Sequence, residues 1–114
     1  MTKLISITEH KSNYPTPITF SFGDTVTLGK LDTEYAGWIR VTTFDGNVGW
    51  APIQYIDFEM GSSVGIATHN YSARELDTIV GEIVILIHEL NDWFLVRNEQ
   101  GLVGWLPAKT LTTV

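Results

Sequence analysis

One short pattern is written twice in this chain. Gly46-Asn47-Val48-Gly49-Trp50-Ala51-Pro52 returns 55 residues later as Gly101-Leu102-Val103-Gly104-Trp105-Leu106-Pro107. The same offset carries Trp38 to Trp93, Val41 to Val96 and Ile56 to Leu111. Upstream the offset is 58, and Phe22-Gly23-Asp24-Thr25-Val26-Thr27-Leu28 answers Val80-Gly81-Glu82-Ile83-Val84-Ile85-Leu86. The change of three residues falls between Leu28 and Trp38, where a surface loop tolerates it. A repeat of this period overrides the single domain that the length alone suggests. It divides the chain into two consecutive units, 1–58 and 64–114, joined by a short stretch around Met60-Gly61-Ser62-Ser63. Units of this size fold alone but are marginal.

The residues within each copy specify strands. Thr25-Val26-Thr27-Leu28 and Trp38-Ile39-Arg40-Val41-Thr42-Thr43 alternate with a period of two, and helical periodicity is absent. Asp45-Gly46 signals a tight two-residue hairpin turn. Asn47 to Ala51 returns as the next strand, and Pro52 ends it because it has no N–H for the ladder. Gln54-Tyr55 suits one 3₁₀ turn before Ile56. The second copy follows the same order with strands Ile83–Ile87, Trp93–Arg97 and Leu102–Leu106, stopped by Pro107. Short strands at regular spacing imply small barrels.

Charge and composition narrow the partners. The net charge is −6, with −3 in residues 1–60 and −3 in the rest. An evenly acidic chain repels phosphate backbones and anionic lipid, so nucleic acid and membrane surfaces are not expected partners. Cysteine is absent. That removes disulfides, thiolate metal sites and a cysteine nucleophile, and it suits a cytoplasmic location. His10, His69 and His88 have no metal-ligand spacing, and neither a Gly-x-Ser-x-Gly elbow nor a phosphate loop is present. Catalysis, a metal and a cofactor are therefore not expected.

In order, these motifs resemble the Src homology 3 family, in the variant form found in bacterial proteins. Copy one shows Ile18-Thr19-Phe20-Ser21-Phe22-Gly23-Asp24, Gly37-Trp38 and Gly49-Trp50-Ala51-Pro52-Ile53-Gln54-Tyr55-Ile56. Copy two shows Ala67-Thr68-His69-Asn70-Tyr71, Leu76 to Glu82, Asp92-Trp93-Phe94 and Gly104-Trp105-Leu106-Pro107. The resemblance implies an all-β fold of two consecutive five-stranded barrels. It also implies an aromatic groove for an extended Pro-rich segment, which loses little entropy on docking. Carried over by position, the groove residues are Trp38, Pro52 and Tyr55 in copy one. In copy two they are Tyr71, Trp93 and Pro107, with His69 standing where a tyrosine is usual. Acidic loop contacts to a basic ligand residue fall on Glu34, Glu75 and Asp92, with Glu9, Asp32, Asp77 and Glu89 as further candidates.

The departures from the family pattern are specific. Copy one has no tyrosine in its opening segment, Ile5-Ser6-Ile7-Thr8-Glu9. Copy two has Thr110 in place of the late tyrosine, and its first loop, Ser72–Leu76, is short. Each groove is therefore incomplete within its own copy. Trp38 and Trp93 are expected on the outer face, opposite Ile39 and Val41 and opposite Phe94 and Val96. Trp50 and Trp105 are expected to be structural. The leading function is a protein- or peptide-binding module of open oligomeric state. An assembly domain without a peptide ligand is the alternative, followed by carbohydrate binding.

Overall fold

The computed structural model describes every residue, Met1–Val114, and is built of strands and two single 3₁₀ turns. The strands are β1 (Lys3–Ser6), β2 (Thr19–Phe20), β3 (Thr25–Leu31), β4 (Trp38–Thr42), β5 (Val48–Pro52), β6 (Ile56–Asp57), β7 (Val64–Ala67), β8 (Tyr71–Ser72), β9 (Ile83–Leu90), β10 (Trp93–Arg97), β11 (Val103–Pro107) and β12 (Leu111–Thr113). The expected order of strands is present in both copies. Pro52 and Pro107 close β5 and β11, and the 3₁₀ turns Ile53–Tyr55 and Ala108–Thr110 follow them directly.

The chain forms two compact units, but not the consecutive ones that the repeat suggests. One unit is Thr16–Ala73. The other joins Met1–Pro15 to Arg74–Val114. In the continuous unit the sheet order is β5-β4-β3-β7-β6. Its fourth member, β7, belongs to the opening segment of the second sequence copy. In the discontinuous unit the order is β11-β10-β9-β1-β12, and β1 comes from the opening segment of the first copy. The two opening segments have changed places. Equivalently, the unit 16–73 is a permuted barrel inserted in the first long loop of the other.

The registers show that the exchange is complete. In the continuous unit β7 lies antiparallel to β3, with Val26 opposite Gly65, and to β6, with Ile56 opposite Ala67. In the other unit β1 lies antiparallel to β9, with Leu4 opposite Val84, and to β12, with Leu4 opposite Thr113. Leu4 is buried with Leu76, Val84, Val96, Leu106 and Leu111, all from the second copy. Gly65 is needed where it stands, because a Cβ there would come within 2.5 Å of the Ile56 side chain.

The β4–β5 and β10–β11 hairpins use a longer turn than expected. Gly46 and Gly101 have positive φ, and their N–H groups donate to the carbonyls of Thr43 and Asn98. Thr43 N–H and Asn98 N–H in turn donate to the carbonyls of Asn47 and Leu102. This is a three-residue loop with glycine in the left-handed position, which the two-residue reading of Asp45-Gly46 missed. No helix is long and apolar enough to cross a membrane.

Candidate functional site

In the unit 16–73, three features converge on one aromatic cluster. Pro52 enters the 3₁₀ turn at φ −69° and ψ 134°, and the Ile56 N–H closes that turn on the Ile53 carbonyl. This lifts Tyr55 off the end of the ladder. Pairing of Ile56 with Ala67 then brings the residues after β7 alongside, and the Thr68 N–H donates to the Tyr55 carbonyl at 2.8 Å. His69 consequently stacks on Tyr55, with ring centroids 4.4 Å apart and planes 21° from parallel. Tyr71, which starts β8, meets Tyr55 edge-on at 6.0 Å and tilts over Phe20 at 5.2 Å. Its hydroxyl donates to the Trp50 carbonyl at 2.9 Å.

The partial motifs of the two copies therefore complete each other. Tyr55 and Pro52 come from the end of copy one. His69 and Tyr71 come from the start of copy two. Sequence reasoning assigned these four residues to two incomplete grooves, and the exchange of opening segments places them in one unit.

The exposure of the cluster differs from expectation. Trp38 is 5% exposed and Tyr71 7% exposed, and Pro52 is fully buried. Burial removes these three from the contact surface. Trp38 does lie on the face opposite Ile39 and Val41, as its register requires. It stands opposite Pro52 in the ladder, itself fully buried, and the hairpin with β3 closes on it, with the Asp32 N–H donating to the Trp38 carbonyl at 2.9 Å. The open edge consists of Tyr55, which is half-buried, and His69, which is exposed. Trp50 is half-buried, with the Arg40 guanidinium 5.2 Å from its ring centre. A cation over the indole face holds that ring to the sheet surface.

The discontinuous unit has a different set at the equivalent place. Trp93 faces Pro107 across β10 and β11, and Trp93 is half-buried while Pro107 is buried. Thr110 is buried and its hydroxyl donates to the Pro107 carbonyl at 2.7 Å, so no aromatic ring stands there. His10 lies edge-on to Trp93 at 6.0 Å and pairs through Nε2 with a Glu75 carboxylate oxygen at 2.8 Å. A backbone bridge joins His10 to Thr78.

The acidic candidates are split in the same way. Glu75 is held by His10, and Asp77 accepts the Ser12 N–H at 2.8 Å. Glu89 and Asp92 are exposed near Trp93 in sequence, with Asp92 at φ 67°. In the other unit Asp32 accepts the Glu34 N–H at 3.0 Å, and Glu34 is exposed. Glu9 is exposed in the discontinuous unit. No group of three or more His, Asp or Glu residues is arranged to hold a metal ion.

Sequence reasoning did not place His10 beside Trp93 and Glu75. The missing signal was a third offset. Lys3–Ser6 and Val64–Ala67 are 61 residues apart, and the same step carries His10 to Tyr71.

Residues 5–59 match the family model of the variant SH3 domain. That stretch is continuous in sequence but is divided between the two compact units at Pro15 and Thr16. No curated protein and no solved structure matches the chain.

Proposed function

We propose that this chain is a non-catalytic module of two variant SH3-type barrels, and that the unit 16–73 takes up an extended, Pro-rich protein segment. The observation that carries this reading is the stacked pair of Tyr55 and His69, with the buried Tyr71 edge-on to Tyr55. Two open rings offer flat apolar area at little entropic cost, which suits a preformed polyproline II segment. Glu34, exposed in the loop before β4, supplies charge for a Lys or Arg on the ligand. The Trp93 region of the other unit is the weaker site, because Glu75 is already engaged by His10 and no ring stands at Thr110.

The test is calorimetric titration of the full chain with Pro-rich peptides containing one arginine. Tyr55→Ala and His69→Ala are each expected to weaken binding by roughly ten-fold or more, in line with a loss of about 1–2 kcal/mol for an interface aromatic. Unchanged affinity in both variants refutes the placement. A second reading, an assembly domain without a peptide ligand, draws on the burial of Trp38, Pro52 and Tyr71. It is supported instead if no peptide binds and the chain is a stable oligomer on sizing.

A further inference from the structure

A second surface of the unit 16–73 has the form of a binding site. A cleft of about 140 Å³ opens between the β2–β3 turn and the tip of the β4–β5 hairpin. Its walls are mainly apolar, from Phe20, Val26 and Phe44, and Asp24 and Asp45 stand among its lining residues. Phe44 is fully exposed at the hairpin tip, and Phe22, in the facing turn, is 74% exposed. Packing does not require a phenyl ring at either place. A tight turn is built more readily from polar residues.

The two carboxylates are fixed but carry no countercharge. Asp24 accepts the Ser21 N–H at 2.9 Å. Asp45 accepts the Thr43 hydroxyl and the Asn47 N–H, and these bonds hold its carboxyl below the usual range. The bonds that Asp24 and Asp45 accept come from backbone N–H groups and the Thr43 hydroxyl, and none comes from a basic side chain. The unit as a whole has six Asp and Glu residues against Lys30 and Arg40, so its net charge is 2 − 6 = −4. The other unit has seven against five, or −2. The uniform −3 and −3 of the sequence halves concealed this concentration. Such a field repels nucleic acid and anionic lipid and attracts cationic side chains.

We propose that this cleft docks an arginine or lysine side chain of a protein partner, the aliphatic stem lying on the exposed Phe44 ring and the cationic head meeting Asp24 and Asp45. A long basic side chain has this two-part character, with an apolar stem and a charged tip. The phenyl face adds attraction for the cation. Phe20 lines the cleft and also packs on Tyr71, but neither Tyr55 nor His69 is among the lining residues, so either reading can fail without the other.

The experiment uses the isotope-labelled full chain and NMR amide shifts. The probe is the blocked tripeptide Leu-Arg-Leu, with Leu-citrulline-Leu as the uncharged control. The arginine peptide is expected to shift the amides of Thr25, Thr43 and Asp45, and citrulline to bind at least roughly three-fold more weakly. Phe44→Ala, at a position that contributes nothing to the core, is expected to weaken the arginine peptide by a similar factor. No response of these amides up to about 10 mM peptide overturns the proposal. So does a response confined to Tyr55 and His69, or equal binding by Phe44→Ala. Shifts of the same amides that follow protein concentration without peptide assign the cleft to a second copy of the chain, and also overturn it.

Discussion

Leu4 tests the exchange of opening segments most directly. It is 3% exposed and stands opposite Val84 in the discontinuous unit. If each copy closed on itself, its neighbours would instead come from the first copy, with Val26 in the place of Val84. The perturbation must be small, because the unit has little stability to lose. Its 15 + 41 = 56 residues provide about 3–8 kcal/mol at typical values of 0.05–0.15 kcal/mol per residue. Leu4→Ala removes about 2–5 kcal/mol and risks unfolding it outright. Leu4→Val removes one methylene, about 0.8 kcal/mol before any cavity cost, and Val84→Ala about twice that. Together they remove about 2.4 kcal/mol before any cavity cost, which all but the low end of the unit's stability range absorbs. Urea unfolding followed by NMR reports each unit by its own resonances, and a double-mutant cycle isolates the pair. Residues in contact couple by at least about 0.5 kcal/mol, whereas distant ones add within about 0.3–0.5 kcal/mol. Leu4 is expected to couple to Val84 and not to Val26. Coupling to Val26 instead would falsify the exchanged topology.

Other expectations follow from the same structure. A fragment spanning 16–73 should fold alone and keep the amide spectrum of its residues in the full chain, since both segments of its sheet lie within it; an unfolded fragment counts against the two-unit division. Gly65→Ala should destabilise the unit 16–73 by about 1–3 kcal/mol through overpacking against Ile56, measured by urea unfolding. Asp45 has a lowered pKa, caused first by the Thr43 hydroxyl and then by the Asn47 N–H. Its contribution is therefore present above the unfolded-state value of about 3.9 and lost as pH falls through the lower folded value. The Asn47 amide should lose hydrogen-exchange protection in that acid window, and Asp45→Asn should remove the pH dependence. His10→Ala should change the Trp93 fluorescence and leave the Tyr55–His69 pair undisturbed, as read by NMR.

Much of the local structure could be read from the residues. The alternation of Thr25–Leu28 and Trp38–Thr42, the stops at Pro52 and Pro107, and the 3₁₀ turns after them are all dictated within a few residues of where they act. Partner choice was not legible. A period of two fixes which face of a strand is apolar, but not which sheet receives it. Lys3–Ser6 and Val64–Ala67 have the same burial alternation, exposed then buried, so either segment fits either barrel. One clue did exist. Seven residues separate His10 from Ile18, but four separate Tyr71 from Leu76. The short link leaves Tyr71–Ser72 to pair with Thr19–Phe20 rather than with its own copy. The burial of Trp38 was hidden for another reason. The alternation of β4 sets Trp38 apart from Ile39 and Val41 but does not say how much of that side chain reaches solvent, and in the fold it is 5% exposed.

Synthesis from the N-terminus gives the insertion a temporal meaning. Residues 3–6 are made first, yet the strands that flank them, Ile83–Leu90 and Leu111–Thr113, are made last. The segment between can complete its barrel in the meantime, once Ala67 has left the ribosome. During that interval the leading segment waits beside a growing sheet with a vacancy it also fits. Val64–Ala67 reaches that vacancy before Ile83–Leu90 is made, so the order of synthesis agrees with the pairing seen in the fold.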